Sequence, residues 1–489
     1  MSGNATNQEL DHYAGHCKPR RKVLNSANLQ TDPDCPTEPI GAELNAQTDA
    51  EQIRWRFSTR LVFRFVFCYL ALYCLYIFAG DQVFLQYLAS GQLADSFIDP
   101  LWHHVVPWVG KHVLHLSKEI TVFSNGSGDT TYDFALILCE LFLAAVTTLV
   151  WSTLDRKRPN YRTLHEWLRF FVRLALATEM IFYGMDKLIP VQFGSLTLAR
   201  LSQRIGDLSP MNMLWTFMAA SKPYTIFSGL AEVLGGVLLL VPQLTTLGAL
   251  ITIGVMANVF ALNMSYDVPV KLLSFHFLLM AAFLVAPETQ RLLNVFVLNR
   301  PAAPRVNTLL SHRRWINQGA LILSWLAGAL LLFTLIHFSL KRYSAQNPAA
   351  AARSPFYGIW TVDEFSLTGN PVGPLLTEKL ASDMQVAPGG DRWSELIFDM
   401  PGDLIIRLSN GTLDYVKLSL DPKKNTASVG DEGDPNWKCD FVYQRTAEQL
   451  LNLQGRINGN AVTLRLHRLD QSKDRLTSRG FHWINERPF

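Results

Sequence analysis

Four consecutive apolar runs carry their polar groups at nearly the same depth, and this pattern restricts what the chain can fold into. The runs cover residues 168–189, 225–242, 245–263 and 268–286. If they cross a bilayer in alternating directions, these groups fall toward one face: Asp186, Lys187, Glu232, Asn258, Asn263, Asp267 and Lys271. Ionisable groups inside a membrane are costly and usually face a bundle interior or a watery cavity. The layer therefore predicts a site.

The apolar segments of the chain predict a multi-pass α-helical membrane domain over residues 54–342. A helix needs about 20 mostly apolar residues to cross the hydrocarbon core. Seven segments meet this requirement, at residues 60–80, 133–152, 168–189, 225–242, 245–263, 268–286 and 317–340. The links between the fourth, fifth and sixth segments are short, so we expect these helices to be antiparallel neighbours.

Basic residues indicate the direction of insertion. Arginine and lysine cluster around residues 54–60, 156–162 and 291–314, before the first span, after the second and after the sixth. With seven spans, all three clusters fall on the cytoplasmic side. Lys341 and Arg342, after the last span, disagree mildly. We therefore expect a multi-pass protein of the cell membrane (the inner one, if there are two). Its polar N-terminal tail, residues 1–53, is expected to be disordered and cytoplasmic. Its C-terminal domain is expected to be extracytoplasmic.

The pattern changes to that of an antiparallel β-barrel after a linker at residues 343–352. Short runs with period-two alternation, separated by turn signals such as Asn410-Gly411 and Asp421-Pro422, continue through residues 353–489. About eight strands of this length are typical of an up-and-down barrel, which closes its own edges. The sequence thus predicts a C-terminal, extracytoplasmic barrel domain.

The two ends of this domain resemble the lipocalin-like barrels. Gly358-Ile359-Trp360 opens the first predicted strand, and Arg479 is expected on the last one, where it would stack across the tryptophan. The resemblance implies that Gly358, Trp360 and Arg479 close one end of the barrel. The same arrangement has a purely structural interpretation, because a cation over an indole face is stabilising in itself.

Residues 168–286 resemble the DoxX family of four-helix membrane proteins. The similarity rests on Arg173, on the segment from Tyr183 to Leu188 and on the segment from Gly229 to Gly236. It implies a DoxX-like four-helix unit that associates with quinone-linked or thiol-linked redox complexes, with quinone as the implied cofactor and other membrane redox subunits as partners. The extra spans on both sides and the appended barrel depart from the family pattern.

The ionisable groups of this unit have two interpretations. The first is a proton-handling or head-group-binding pocket formed by Glu179, Asp186, Lys187, Glu232, Asn258 and Lys271. The second is a structural ion-pair network that holds the helices together. Gly229, Glu232 and Gly236 share one helical face, where small residues let another helix approach closely. We expect Glu232 to face Lys187 there, because either group alone in hydrocarbon would be expensive.

Other polar residues have local explanations. Asp267 precedes Pro269 and predicts a helix N-cap. His276 lies mid-span and is expected to be a hydrogen-bonded core histidine. His112 and His115 are three residues apart, which could chelate a metal from one helical face, but the surrounding aromatic residues favour a helix lying at the membrane interface.

The sequence leaves two functions open. The first is a redox-associated membrane subunit whose outward charged pocket meets a quinone or another amphiphile. The second is a non-enzymatic carrier or assembly protein whose barrel binds a lipophile. The net charge of +3 gives no indication of nucleic-acid binding. No nucleophile triad, phosphate loop, dinucleotide fingerprint or metal-spaced cluster occurs, which favours a subunit or binding protein over an enzyme with a complete active site.

Overall fold

The computed structural model describes most of the chain beyond the predicted N-terminal tail. The described residues are 54–80, 92–122, 126–304, 313–346, 354–367, 370–371, 393–430, 438–457 and 460–486. Residues 55–489 form one compact unit. The predicted disordered tail and most of the predicted linker lie outside the described residues, and residues 343–346 belong to a helix instead of the linker.

The described part of the chain contains twelve α-helices. In chain order they are α1 Phe57–Gly80, α2 Gln92–His112, α3 Thr131–Leu154, α4 Arg162–Leu188, α5 Leu198–Ser202, α6 Pro210–Ala220, α7 Lys222–Leu240, α8 Thr245–Ser265, α9 Lys271–Val285, α10 Thr289–Phe296, α11 Arg314–Gln346 and α12 Arg475–Ser478.

Six helical segments in the described part of the chain are long and apolar enough to cross a membrane. They are Phe57–Leu75, Thr131–Leu154, Lys222–Leu240, Pro242–Ser265, Lys271–Phe296 and Arg314–Ala345. They correspond to six of the seven predicted spans and confirm a multi-pass α-helical membrane protein. The remaining predicted span, 168–189, lies within α4, which is long enough to cross but richer in charge than the others.

Helix α4 can carry these charges because it lies at the centre of the helical domain. Its residues Val172, Leu176 and Ile181 have no exposed surface. Helices α1, α7, α9 and α11 all pack against it. An interior helix is shielded from lipid, so its ionisable side chains can meet polar partners on neighbouring helices.

The closest helix contact joins α4 to α7 through glycines. A Cβ atom placed on Gly184 would lie 2.8 Å from the Gly229 carbonyl oxygen, and one on Gly229 would lie 2.6 Å from the Gly184 carbonyl oxygen. Two turns further along α7, a Cβ on Gly236 would lie 2.9 Å from the Ala177 carbonyl oxygen. The two backbones therefore touch directly, as small residues permit.

The C-terminal part is a closed antiparallel barrel, as predicted. Its strands are β1 Gly358–Leu367, β2 Asn370–Pro371, β3 Trp393–Phe398, β4 Asp403–Leu408, β5 Leu413–Asp421, β6 Thr426–Gly430, β7 Lys438–Ala447, β8 Leu450–Ile457 and β9 Asn460–Arg468. Strand β1 pairs with both β3 and β9, which closes a ring of eight strands, and the two-residue β2 adds to the end of β1.

The inside of the barrel is a packed hydrophobic core. Trp360, Leu396, Ile406, Leu451 and Leu464 come from five different strands and have no exposed surface. The indole nitrogen of Trp360 donates to the carbonyl oxygen of Phe356, 2.7 Å away, so its polar atom is satisfied. This alternation of buried and exposed positions is what the period-two pattern predicts.

The glycine contact between α4 and α7 gives a direct test of the fold. We expect Gly229→Ala to lower the free energy of unfolding by about 1–3 kcal/mol, because the methyl group would collide with the α4 backbone. Gly254→Ala in α8 is the matched control: nothing lies within 4 Å of a Cβ there. It should stabilise the helix by up to about 1 kcal/mol. Thermal unfolding of both variants in mild detergent measures the difference, and equal melting temperatures would contradict this packing.

Candidate functional site

An ion pair between α4 and α7 is the centre of the candidate site. Lys187 Nζ lies 2.7 Å from Glu232 Oε2, and both side chains are almost fully buried, with 8% and 2% exposed. The glycine contact explains the geometry, since Gly184 and Gly229 each lie three residues before one member of the pair and on the same helical face. The two residues face each other as the sequence predicts.

Lys187 has additional partners on its own helix. Its Nζ donates to the Tyr183 carbonyl oxygen at 3.4 Å and lies 6.0 Å from the centroid of the Tyr183 ring. A carbonyl and an aromatic face both stabilise a cation, so the ammonium is supported on several sides. The attraction within such a pair offsets the cost of burying both charges, whereas removing one partner would leave an isolated buried charge.

A cavity of about 100 Å³ opens beside this ion pair. Its polar wall is formed by Lys187, Glu232, Asn258, Asn263 and Ser274. Its aromatic wall is formed by Tyr183, Phe193, Trp215, Tyr224 and Phe277. A few convergent polar groups set among apolar and aromatic side chains are the usual composition of a small-molecule site.

The two asparagines differ in their hydrogen bonding. Asn263 is buried, and its Nδ2 donates to Ser274 Oγ at 3.0 Å, which ties α8 to α9. Asn258 lies further from the end of α8 and is exposed, although it belongs to a membrane-spanning segment. Asn258 therefore offers an amide that can bind a ligand, whereas Asn263 serves the helix packing.

Three of the predicted pocket residues lie outside the lining of this cavity. Asp186 Oδ2 accepts from Arg342 Nη1 of α11 at 2.9 Å. Lys271 Nζ lies 2.9 Å from Asp267 Oδ1 and 3.7 Å from Asp129 Oδ2. Glu179 is buried within α4, about two turns before Lys187. The predicted single layer of charge is therefore divided among separate ion pairs.

The N-terminus of α9 is capped by a residue that the sequence analysis did not identify. Asp129, which precedes α3, accepts from the backbone N–H groups of Lys271 and Leu272 at 2.7 and 2.9 Å. The predicted cap, Asp267, instead has a left-handed backbone with φ of 51° and pairs through its side chain with Lys271. The prediction for Asp267 was wrong because the cap comes from a segment distant in sequence.

The histidines also have defined positions. His276 is buried, and its ring nitrogens contact Tyr69 Oη and the Leu272 carbonyl oxygen, as expected for a hydrogen-bonded core histidine. Helix α2 ends at His112, and His115 has a φ of 51°, so the two do not share a helical face. Among the described residues, no group of three or more potential ligands could hold a metal ion.

An arginine lies at one end of the barrel itself, but it is not the predicted one. Arg479 follows α12, beyond the last strand, and its Nη2 donates to Asn485 Oδ1 at 2.9 Å. Arg468, the last residue of β9, instead lies over Gly358, where a Cβ would be 2.6 Å from Arg468 Nε. Gly358 also has a φ of 144°, a backbone conformation that favours glycine. Both this conformation and the close approach of Arg468 therefore require a residue without a side chain.

The barrel docks on the segment that follows α4. Leu198 and Ala199 of α5 pack against Ile359, Ile397 and Ile405 on the outer face of the barrel. Asp399 Oδ2 accepts from the Leu198 backbone N–H at 2.9 Å. The barrel is therefore fixed at the end of the helical domain where α4 ends, which we call the barrel end.

A second polar contact joins the barrel to α5. Arg407 Nη2 donates to Ser202 Oγ at 2.8 Å, and Arg407 Nε lies 3.4 Å from Glu395 Oε2. Burial raises the pKa of Glu395, and the adjacent Arg407 partly offsets this effect. Arg200 of the same helix donates to the carbonyl oxygen of Phe193, a cavity-lining residue, at 3.3 Å. The barrel thus contacts the segment that forms one wall of the cavity.

Comparison with curated proteins shows similarity to a bacterial protein. Over 124 residues, or 25% of this chain, the sequence is 32% identical to "Uncharacterized protein YwoB" of Bacillus subtilis (strain 168), and the match covers 79% of that protein. No protein-family model matches the chain. No solved structure matches it either.

The ion pair can be tested by removing its members singly and together. We expect Glu232→Gln to lower the free energy of unfolding by about 3–5 kcal/mol, because Lys187 would remain buried without its counter-ion. The double variant Lys187→Met with Glu232→Gln should recover most of this loss. Thermal unfolding in detergent gives the coupling energy, and strictly additive effects would contradict a direct pair.

Proposed function

The chain belongs to the same family as the B. subtilis protein YwoB, and we propose that it binds the polar head of a quinone or a similar amphiphile in the cavity beside Lys187 and Glu232. In this role it is a DoxX-like subunit that associates with other redox proteins of the cell membrane. The observation that carries the proposal is the buried ion pair in the wall of an aromatic-lined cavity within the membrane domain.

The chemistry of the cavity fits such a ligand. Lys187 can donate a hydrogen bond to a carbonyl oxygen, Glu232 can accept one from a hydroxyl group, and the Asn258 amide can do both. The rings of Tyr183, Trp215 and Phe277 offer flat surfaces against which a ring can stack. The exposed position of Asn258 on a membrane-spanning segment gives a lipid-soluble molecule access from the side.

The alternative, a carrier whose barrel binds a lipophile, has less support. The inward-facing side chains of the barrel, including Trp360 and Trp393, form one packed core cluster. A barrel whose interior is filled by its own side chains has no room there for a ligand. We therefore assign ligand binding to the helical cavity and give the barrel a structural role beside it.

Ligand binding can be measured with a soluble short-chain quinone. Purified full-length protein should show saturable quenching of tryptophan fluorescence, and Trp215→Phe should remove most of the saturable part, because Trp215 lines the cavity. Lys187→Gln should weaken binding about tenfold, which corresponds to the loss of one hydrogen bond to a charged group of about 1.4 kcal/mol.

The matched control for this measurement is Lys271→Gln. Lys271 lies toward the same end of the domain but outside the cavity lining, so its replacement should leave the affinity unchanged. Equal weakening by both variants would indicate a general effect of charge, and the absence of saturable quenching in the wild type would contradict quinone as the ligand class.

We also propose that the barrel end faces outward. Arg156 and Arg158 lie at the opposite end of the domain, where their carbonyl oxygens accept from Arg60. This arrangement groups the basic residues on one side, which the positive-inside rule assigns to the cytoplasm.

A reporter that folds only in the cytoplasm tests this orientation. Fused after the C-terminal residue it should give no signal, whereas fused before Trp55 it should be active. A bright signal from the C-terminal fusion would reverse the proposed orientation.

A further inference from the structure

Helix α3 carries a stripe with three polar residues on the face that it turns inward. Glu140, Ala144 and Thr148 follow one another at intervals of four residues and are all buried, and Ser152 continues the row. Residues four apart lie on one side of a helix. Most other residues of α3, such as Phe142 and Leu149, are exposed as lipid-facing side chains would be. The stripe therefore directs Glu140, Thr148 and Ser152 toward the helical domain, with Ala144 between the first two.

Glu140 is the unusual member of this stripe. The residue is only 3% exposed, and its Oε2 atom has no hydrogen-bond partner within the described part of the chain. Tyr69 and Cys139 lie close enough to Glu140 to interact with its charge. From α2, Trp102 and Val106 belong to an apolar cluster that also contains Cys139, the residue before Glu140. An ionised carboxylate in such surroundings would be very expensive.

Tyr69 also forms a hydrogen-bonded pair with His276. His276 Nδ1 lies 2.6 Å from the Leu272 carbonyl oxygen, which can only accept, so the proton of the neutral ring is on Nδ1. Nε2 is then an acceptor, and the Tyr69 hydroxyl donates to it. The Tyr73 ring stacks on His276 at 4.2 Å between centroids. Tyr69 thus connects an imidazole to the neighbourhood of Glu140.

Polar groups continue from this region toward the end of the domain opposite the barrel. Ser152 Oγ donates to the Thr148 carbonyl oxygen at 2.7 Å and accepts from Arg64 Nη1 at 2.8 Å. Arg64 also donates to Tyr161 Oη, which in turn donates to Asp155 Oδ2 at 2.9 Å. Hydrogen-bonding groups therefore line the contact between α1 and α3 from that end inward.

We propose that Glu140 is a proton-binding carboxyl group inside the membrane domain, with Tyr69 and His276 as its relay partners and the α1–α3 contact as its access route. A proton adds to one carboxylate oxygen to give the neutral acid, and it leaves by the same route. None of these residues lines the cavity beside Lys187, so the proton site is separate from the proposed ligand site and does not depend on it.

Infrared difference spectroscopy tests the proposal on the full-length protein in lipid vesicles. Alternating between a low and a high pH should give a carbonyl-stretch band of a protonated carboxyl group in the wild type. Glu140→Gln preserves the side-chain shape and should remove this band. Glu119→Gln is the control, because Glu119 is 81% exposed and paired with Lys111, and the band should persist in that variant. A spectrum of Glu140→Gln identical to that of the wild type would overturn the proposal.

Two further measurements cover the case in which Glu140→Gln does not fold. Tyr69→Phe leaves the carboxyl group in place and should shift the frequency of the band, whereas an unchanged frequency would exclude Tyr69 as a relay partner. In the wild type, a hydrophobic carbodiimide reacts with protonated carboxyl groups, so peptide mass spectrometry should find the adduct on Glu140. Glu232, paired with Lys187, should remain unmodified. An adduct on Glu232 without one on Glu140 would overturn the assignment.

Discussion

The direct contact between the α4 and α7 backbones determines how the membrane domain can hold its charges. Where Gly184 meets Gly229 no side chain separates the helices, so Lys187 and Glu232 on the following turns meet at hydrogen-bonding distance. Water cannot stabilise either charge at this depth, so each needs the other. Any larger residue at the contact would separate the helices and weaken the ion pair together with the packing.

The other charges of the region from residue 168 to 286 find partners outside it. Arg342 from α11 neutralises Asp186, and Asp129 from the segment before α3 caps α9 and approaches Lys271. The two basic residues Lys341 and Arg342, which seemed to contradict the positive-inside rule, are thereby partly explained: Arg342 forms an ion pair within the helical domain. Segments outside residues 168–286 thus supply partners for polar groups of this region, while both members of the Lys187–Glu232 pair lie within it.

The sequence predicts depth well and direction around the helix axis less well. Apolar length predicted seven spans, six of which are long and apolar enough in the described part of the chain, and alternation predicted the barrel, because both patterns repeat over many residues. Asp186 and Lys187 were assigned to one pocket because they lie at the same depth, but neighbouring residues on a helix point about 100° apart. One meets α11 and the other meets α7. Arg479 was misplaced for a related reason, since strand ends are the least regular part of a barrel pattern and β9 ends at Arg468.

The barrel influences the membrane domain through its outer face, because its interior is filled by its own side chains. Ile359, Ile397 and Ile405 cover α5, while Asp399 and Arg407 hold the two ends of that short helix. A helix of five residues has little stability of its own, so the barrel surface supplies the contacts that fix it. Through Arg200 this support reaches the Phe193 backbone at the cavity wall. On the side toward the barrel, the cavity is therefore bounded by the Phe193 segment, which the barrel supports through α5. The exposed polar residue of the cavity, Asn258, lies on α8.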